Sequence, residues 1–154
     1  MITYEVHNIS ENEGFIQFAL KDSEGNNRYI LTRGAAGMLK ANFTVSDGAG
    51  NVLATFVSKR SMLEKIRMPF VKIKCADGKK FTAHKDMENL YYMVVLKGQQ
   101  LALEGDVYSE EYQIAHIDKF ICEVHPDPDI TTVEIDENES DLAAIAYFAV
   151  SVAR

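Results

Sequence analysis

Leu142-Ala143-Ala144-Ile145-Ala146-Tyr147-Phe148-Ala149-Val150, followed by Ser151-Val152-Ala153-Arg154, is the stretch on which the fold turns. Its alanines and leucine favour helix, and no polar residue recurs at the 3.6-residue period that would give such a helix a wet side. Ser140 or Asp141 can cap its start, Glu139 and Asp141 suit the positive end of its dipole, and Arg154 suits the other end. A dozen or so apolar residues fall short of the ~20 needed to cross a bilayer. A helix at about 140–153 that is apolar all round therefore needs a cylindrical hole in protein.

Upstream of that helix the chain reads as short strands separated by turns. Ser23-Glu24-Gly25-Asn26-Asn27, Asp47-Gly48-Ala49-Gly50-Asn51, Asp77-Gly78-Lys79-Lys80 and Lys97-Gly98-Gln99-Gln100 carry the residues that tight hairpins require. Phe43 and Val45, then Val52, Ala54 and Phe56, flank the second turn, while Phe70–Cys75 and Phe81–Ala83 flank the third. Tyr112-Gln113-Ile114-Ala115-His116-Ile117 alternates as a half-buried strand does, and Leu90–Leu96 reads as a strand covered on both faces. Ser61-Met62-Leu63-Glu64 has the form of a capping box, and Pro69 limits the helix it would start to a turn or two. A closed or nearly closed β-barrel would supply the hole that the last helix needs.

The order of these pieces resembles the tubby C-terminal-like superfamily, and within it the LURF-one-related and phospholipid-scramblase-like branch. The resemblance rests on Phe43–Val52, Leu101-Ala102-Leu103-Glu104-Gly105-Asp106-Val107-Tyr108 and Glu111-Tyr112-Gln113-Ile114. A strand pair at 117–124 and 132–135 and the apolar helix complete it. It is clearest over residues 43–154. It implies a mainly β fold, a roughly 12-stranded antiparallel β-barrel enclosing a hydrophobic C-terminal helix, with residues 1–42 as further strands of one 1–154 domain. It also implies that phosphoinositide binding and membrane tethering, known for tubby-like members, and calcium binding near the helix, known for scramblase-like ones, are functions to look for. The palmitoylated cysteine tract of scramblases has no counterpart here, since Cys75 and Cys122 stand alone in strand patterns.

Composition sets the outer bounds. The 154 residues are 47% hydrophobic and carry 16 basic and 23 acidic side chains, a net charge of -7, with a pI near 5.1. That suits one globular domain and speaks against a nucleic-acid binder, which is normally basic. No run is long enough for transmembrane insertion, and the Met1–His7 start lacks the basic and apolar regions of a signal peptide, so a cytoplasmic protein, peripheral at a membrane at most, is expected. The charge is split, however: residues 1–100 hold 14 basic and 10 acidic side chains, and residues 101–154 hold 2 and 13.

Residues 59–85 concentrate the basic side, with nine Lys and Arg against Glu64 and Asp77. Lys59, Arg60, Lys65, Arg67, Lys72 and Lys74 are the candidates for binding an anionic membrane surface or an acidic protein. The plain reading of the same residues is a solvated outer face that keeps the barrel in solution. Asp136, Asn138 and Asp141 in the acidic run before the helix are the calcium candidates, although the EF-hand pattern fails at its glycine and glutamate positions. His125, with Asp127 and Asp129 beside it, is a candidate metal group, against which stands a rigid Pro-Asp-Pro turn. No nucleophile elbow, P-loop, dinucleotide fingerprint or zinc-protease motif occurs, and Gly34-Ala35-Ala36-Gly37 reads as a flexible connection. The expectation is a non-enzymatic binding or scaffold module without cofactor, whose site lies outside a barrel filled by its own helix. The alternatives are an enzyme or ligand-binding barrel with a pocket hidden from sequence, and a structural oligomer subunit.

Overall fold

The computed structural model describes residues 1–9, 17–36, 40–59, 70–85 and 94–154. Twelve strands follow in chain order: β1 Ile2–Asn8, β2 Gln17–Lys21, β3 Asn27–Ala36, β4 Lys40–Asp47, β5 Val52–Lys59 and β6 Phe70–Cys75 come first. Then come β7 Lys80–Lys85, β8 Val94–Lys97, β9 Leu101–Asp106, β10 Glu111–His116, β11 Lys119–His125 and β12 Thr132–Ile135. A 3₁₀ turn at Glu137–Glu139 leads into the single helix α1, Ser140–Ala153. The strands form one antiparallel sheet in the order β8-β7-β6-β5-β4-β3-β2-β1-β12-β11-β10-β9. The chain therefore meanders, and β1 pairs with β12 to bring its two ends together, Ile2 facing Ile135 and Tyr4 facing Val133. Among the described residues only the β8–β9 seam lacks a ladder, so the sheet is a nearly closed barrel.

Alternation along each strand sets what lines the bore. In β6 the order Phe70-Val71-Lys72-Ile73-Lys74-Cys75 alternates exposed and buried residue by residue. Phe56, Val45, Ile114, Val124, Val133 and Ile135 project inward from other strands and are fully buried. Turns are pinned by aspartates: the Asp47 carboxylate accepts from the N–H groups of Ala49 and Asn51 at 3.0 and 2.9 Å, and Asp22 does the same for Glu24 and Asn26. Two local expectations change. Gly34-Ala35-Ala36 continues strand β3 rather than forming a flexible connection, because residues 27–36 pair with β4 as far as Ala36 opposite Ala41. Of the tract Leu90–Leu96, the described part forms β8, and Val95 is half-buried rather than covered, since it faces outward beside His84. The capping-box segment 61–64 lies outside the described residues.

Helix α1 occupies the bore, with nine of its 14 residues buried. Its start differs from expectation. Neither Ser140 nor Asp141 caps it; the capping carboxylate belongs to Asp136, one 3₁₀ turn earlier, and accepts from the Asn138 N–H at 2.9 Å. The helix is also off-centre. Its backbone runs closest to β5–β8 and β10–β12, and not to β1–β4. Ala146, Ala149 and Ala153 fall on one side by the helical period and let backbone approach backbone, whereas Phe148, Ser151 and Val152 lie on the other. On that second side a crevice of about 340 Å³ remains, lined by Phe148 and Val152 of the helix and by Val6, Phe18, Leu31 and Phe43 of β1–β4. The expectation that the helix fills the lumen is corrected there: the small side chains pull it to one wall.

Candidate functional site

Register, rather than sequence proximity, assembles the basic residues. Residues directly opposite in adjacent strands share a face, and three outward rows can be followed across β4–β8. One runs Lys40–Lys59–Phe70–His84–Val95, the next Asn42–Val57–Lys72–Thr82–Lys97, and the third Thr44–Thr55–Lys74–Lys80. Six lysines thus share one outer face, and no carboxylate occupies an outward position of these rows. At about 4.8 Å per strand the face is about 19 Å across. Lys72, Lys74, Lys80 and Lys97 surround a shallow depression of about 420 Å³ floored by Thr55, Val57 and Thr82. Phe70 lies at the edge, 40% exposed and stacked on the His84 ring at 5.6 Å.

Among the described residues none of these six lysines has an ion pair. Lys79, one residue away, does: it reaches Asp77 across the turn at 3.7 Å. Of the sequence candidates, Lys59, Lys72 and Lys74 are exposed and belong to the face, while Arg60, Lys65 and Arg67 lie outside the described residues. The candidate set omitted Lys40, Lys80 and Lys97: Lys80 lies within the basic stretch 59–85, whereas Lys40 and Lys97 are distant along the chain and reach the patch only through the β4–β5 and β7–β8 pairings. The alternation of Lys40 with Asn42 and Thr44 was a signal that could have found the first.

The opposite wall is acidic. Six places round the 12-strand order from β6 lies β12, where the row Glu104–Gln113–Glu123–Glu134–Thr3 crosses β9 to β1. His125 sits there between Glu123 and Glu134, its Nε2 at 3.6 and 3.5 Å from their carboxylates. One imidazole and two carboxylates on neighbouring strands, donor atoms within 4.8 Å of one another, could hold a metal ion. The partners differ from those suggested by the sequence: the imidazole meets Glu123 and Glu134, while Asp127 turns to the Asp129 N–H.

The calcium candidates are already engaged. The Asp136 carboxylate is nearly buried and pairs with the Lys119 ammonium, which, with the Asn138 N–H, holds it below the usual carboxylate range. Asp141 accepts from the Tyr29 hydroxyl at 3.0 Å, tying the first turn of α1 to β3. Asn138 contributes its backbone to the 3₁₀ turn. At the far end of α1, Arg154 donates to Glu110 at 2.9 Å, and Glu110 also accepts from the Thr131 hydroxyl. Among the described residues no helix is long and apolar enough to cross a membrane. Comparison with protein-family models, with curated proteins and with solved structures gives no match.

Proposed function

We propose that the barrel is a binding module that docks its β4–β8 face on an anionic phospholipid surface. The observation that carries this reading is the placement of like charges directly opposite one another. Lys40 faces Lys59, and Lys74 faces Lys80. Cross-strand like-charge pairs weaken a sheet, and solubility alone would be met by lysines alternating with glutamates. An anionic surface turns both pairs from a cost into a gain, at about 1 kcal/mol per lysine that reaches it. Phe70 and Val57 add apolar contact at the level of the headgroups, which favours a lipid surface over an acidic protein. The resemblance of residues 43–154 to the tubby-like superfamily points the same way.

The test is sedimentation with vesicles of phosphatidylcholine, with and without phosphatidylserine or a phosphoinositide, over a salt series. Wild-type protein should bind only the anionic vesicles and release as salt rises, because exposed charges are screened beyond about 8 Å at physiological salt. Lys72→Gln with Lys74→Gln should weaken binding by tenfold or more. Glu123→Gln with Glu134→Gln, on the opposite wall, should leave it within a factor of two. A further mark is thermodynamic: Lys74→Thr should stabilise the free protein slightly while weakening vesicle binding. Binding that ignores lipid charge and salt, or no binding at all, refutes the proposal; capture by an acidic polypeptide in place of vesicles would do so too.

A further inference from the structure

The crevice beside α1 is independent of the basic face and combines two features that point to a ligand. It is walled by apolar side chains, Val6, Phe18, Leu31, Phe43, Phe148 and Val152, and it carries charged groups at the end where the helix finishes. Those charges do not cancel. Glu110 is held below the usual carboxylate range, first by the Thr131 hydroxyl and then by Arg154, so one carboxylate and one guanidinium satisfy each other. Arg33, the other guanidinium of the lining, is half-buried on β3, and among the described residues it has neither a hydrogen bond nor an ion pair. A half-buried guanidinium without an anion beside an apolar slot is matched by an amphiphile with one tail and one negative charge.

Size narrows the class. The crevice of about 340 Å³ lies at the small end of ligand pockets, which run to roughly 1,000 Å³. At about 30 Å³ per water-sized group, it holds about eleven groups, the equivalent of a carboxylate on a chain of eight to ten carbons. We infer that the barrel binds a single medium-chain fatty carboxylate between α1 and β1–β4, its tail against Phe148, Phe18 and Leu31 and its head on Arg33. The alanine side of α1 is what makes this possible: with the helix drawn to β5–β8 and β10–β12, the space opposite stays open.

Calorimetric titration of the intact chain with octanoate, decanoate, dodecanoate and tetradecanoate, all below their micelle concentrations, tests the site. Affinity should rise about fourfold per added methylene up to about ten carbons and then level off as the crevice fills. Arg33→Met keeps the stem and removes the charge. It should weaken decanoate at least tenfold and leave decanol unchanged. Val152→Phe should block decanoate and decanol alike. Should that variant fold poorly, the chain-length break in the wild-type protein and the Arg33→Met contrast decide the matter without it. Absence of saturable binding, affinity that climbs unbroken through tetradecanoate, or equal decanoate binding by Arg33→Met overturns the inference.

Discussion

Gly105 gives the sharpest handle on the barrel itself. It sits in β9 opposite Tyr112 of β10 with a φ of +111°, and a Cβ there would stand 2.6 Å from the Glu111 carbonyl oxygen and 2.8 Å from the Tyr112 Cα. Both obstacles are backbone, and Tyr112 is itself buried, so nothing can swing aside; the β9–β10 hairpin must shift. Gly25 is the natural control. It too has positive φ, +80°, but an added Cβ there meets nothing within 4 Å. Left-handed backbone costs an alanine about 1–2 kcal/mol at either position, and the stiffening of the unfolded chain by alanine is common to both. Overpacking adds about 1–3 kcal/mol at Gly105 alone. Gly105→Ala should therefore lose about 2–5 kcal/mol, centred near 3.5, and Gly25→Ala about 1–2. For a chain of this size 1 kcal/mol moves Tm by about 2–4 °C, so the drops should be about 10 °C and about 4 °C. Urea and thermal unfolding followed by far-UV circular dichroism and tyrosine fluorescence measure both. Equal losses at the two sites would refute the β9–β10 register and with it the neighbourhood of the barrel seam.

The Asp136 carboxyl titrates below its unfolded value of about 3.9, so its ion pair stabilises fully above about pH 4 and fades as pH falls through the folded value. Asp136→Asn keeps the cap acceptor and removes the charge; its urea midpoint should lie below wild type at pH 7 and the gap should close as pH falls through the folded value, and a gap that stays constant into acid would refute the assignment. Cys75 and Cys122 are both buried, and burial pushes the Cys75 thiol up to about 11 and the Cys122 thiol higher. At pH 8 neither should react with a disulfide reagent in native protein over minutes and both should react at once in urea; rapid native labelling of Cys122 would contradict the packing of β11 on α1.

The architecture was legible because two periodicities are written plainly. Asp47-Gly48-Ala49-Gly50-Asn51 and its counterparts mark turns, Phe70–Cys75 alternates residue by residue, and Leu142–Val150 has no wet side, which together leave a barrel round a helix as the economical arrangement. The site was legible only in part. Lys72 and Lys74 announce a common face by their spacing of two, but Lys97 joins them through Thr82, a pairing that no local pattern encodes. The cap moved from Ser140 to Asp136 because a 3₁₀ turn intervenes, which one turn of sequence cannot distinguish from helix. The crevice was invisible for a different reason. It arises from the asymmetry between Ala146, Ala149 and Ala153 on one side of α1 and Phe148 and Val152 on the other, and both sets count as apolar in any hydropathy reading.

The net charge of -7 would by itself set this protein against anionic surfaces, and the barrel explains why it need not. Two sheet walls with a helix between them stand about 20 Å apart, at roughly 10 Å per packed layer, while the screening length at physiological salt is about 8 Å. A surface touching the β4–β8 lysines therefore stands about 20 Å farther from the Glu123–Glu134 wall, whose carboxylates face solvent and its counterions on the other side of the barrel. The meander enforces this separation, because strands adjacent in sequence stay adjacent in space and the basic stretch of the chain cannot mix with the acidic one. The charge asymmetry between the two parts of the sequence thus becomes a charge asymmetry between two walls. On the proposed docking, repulsion of the acidic wall would turn the barrel to present its lysines, so the same excess acid that opposes approach would also fix the orientation of contact.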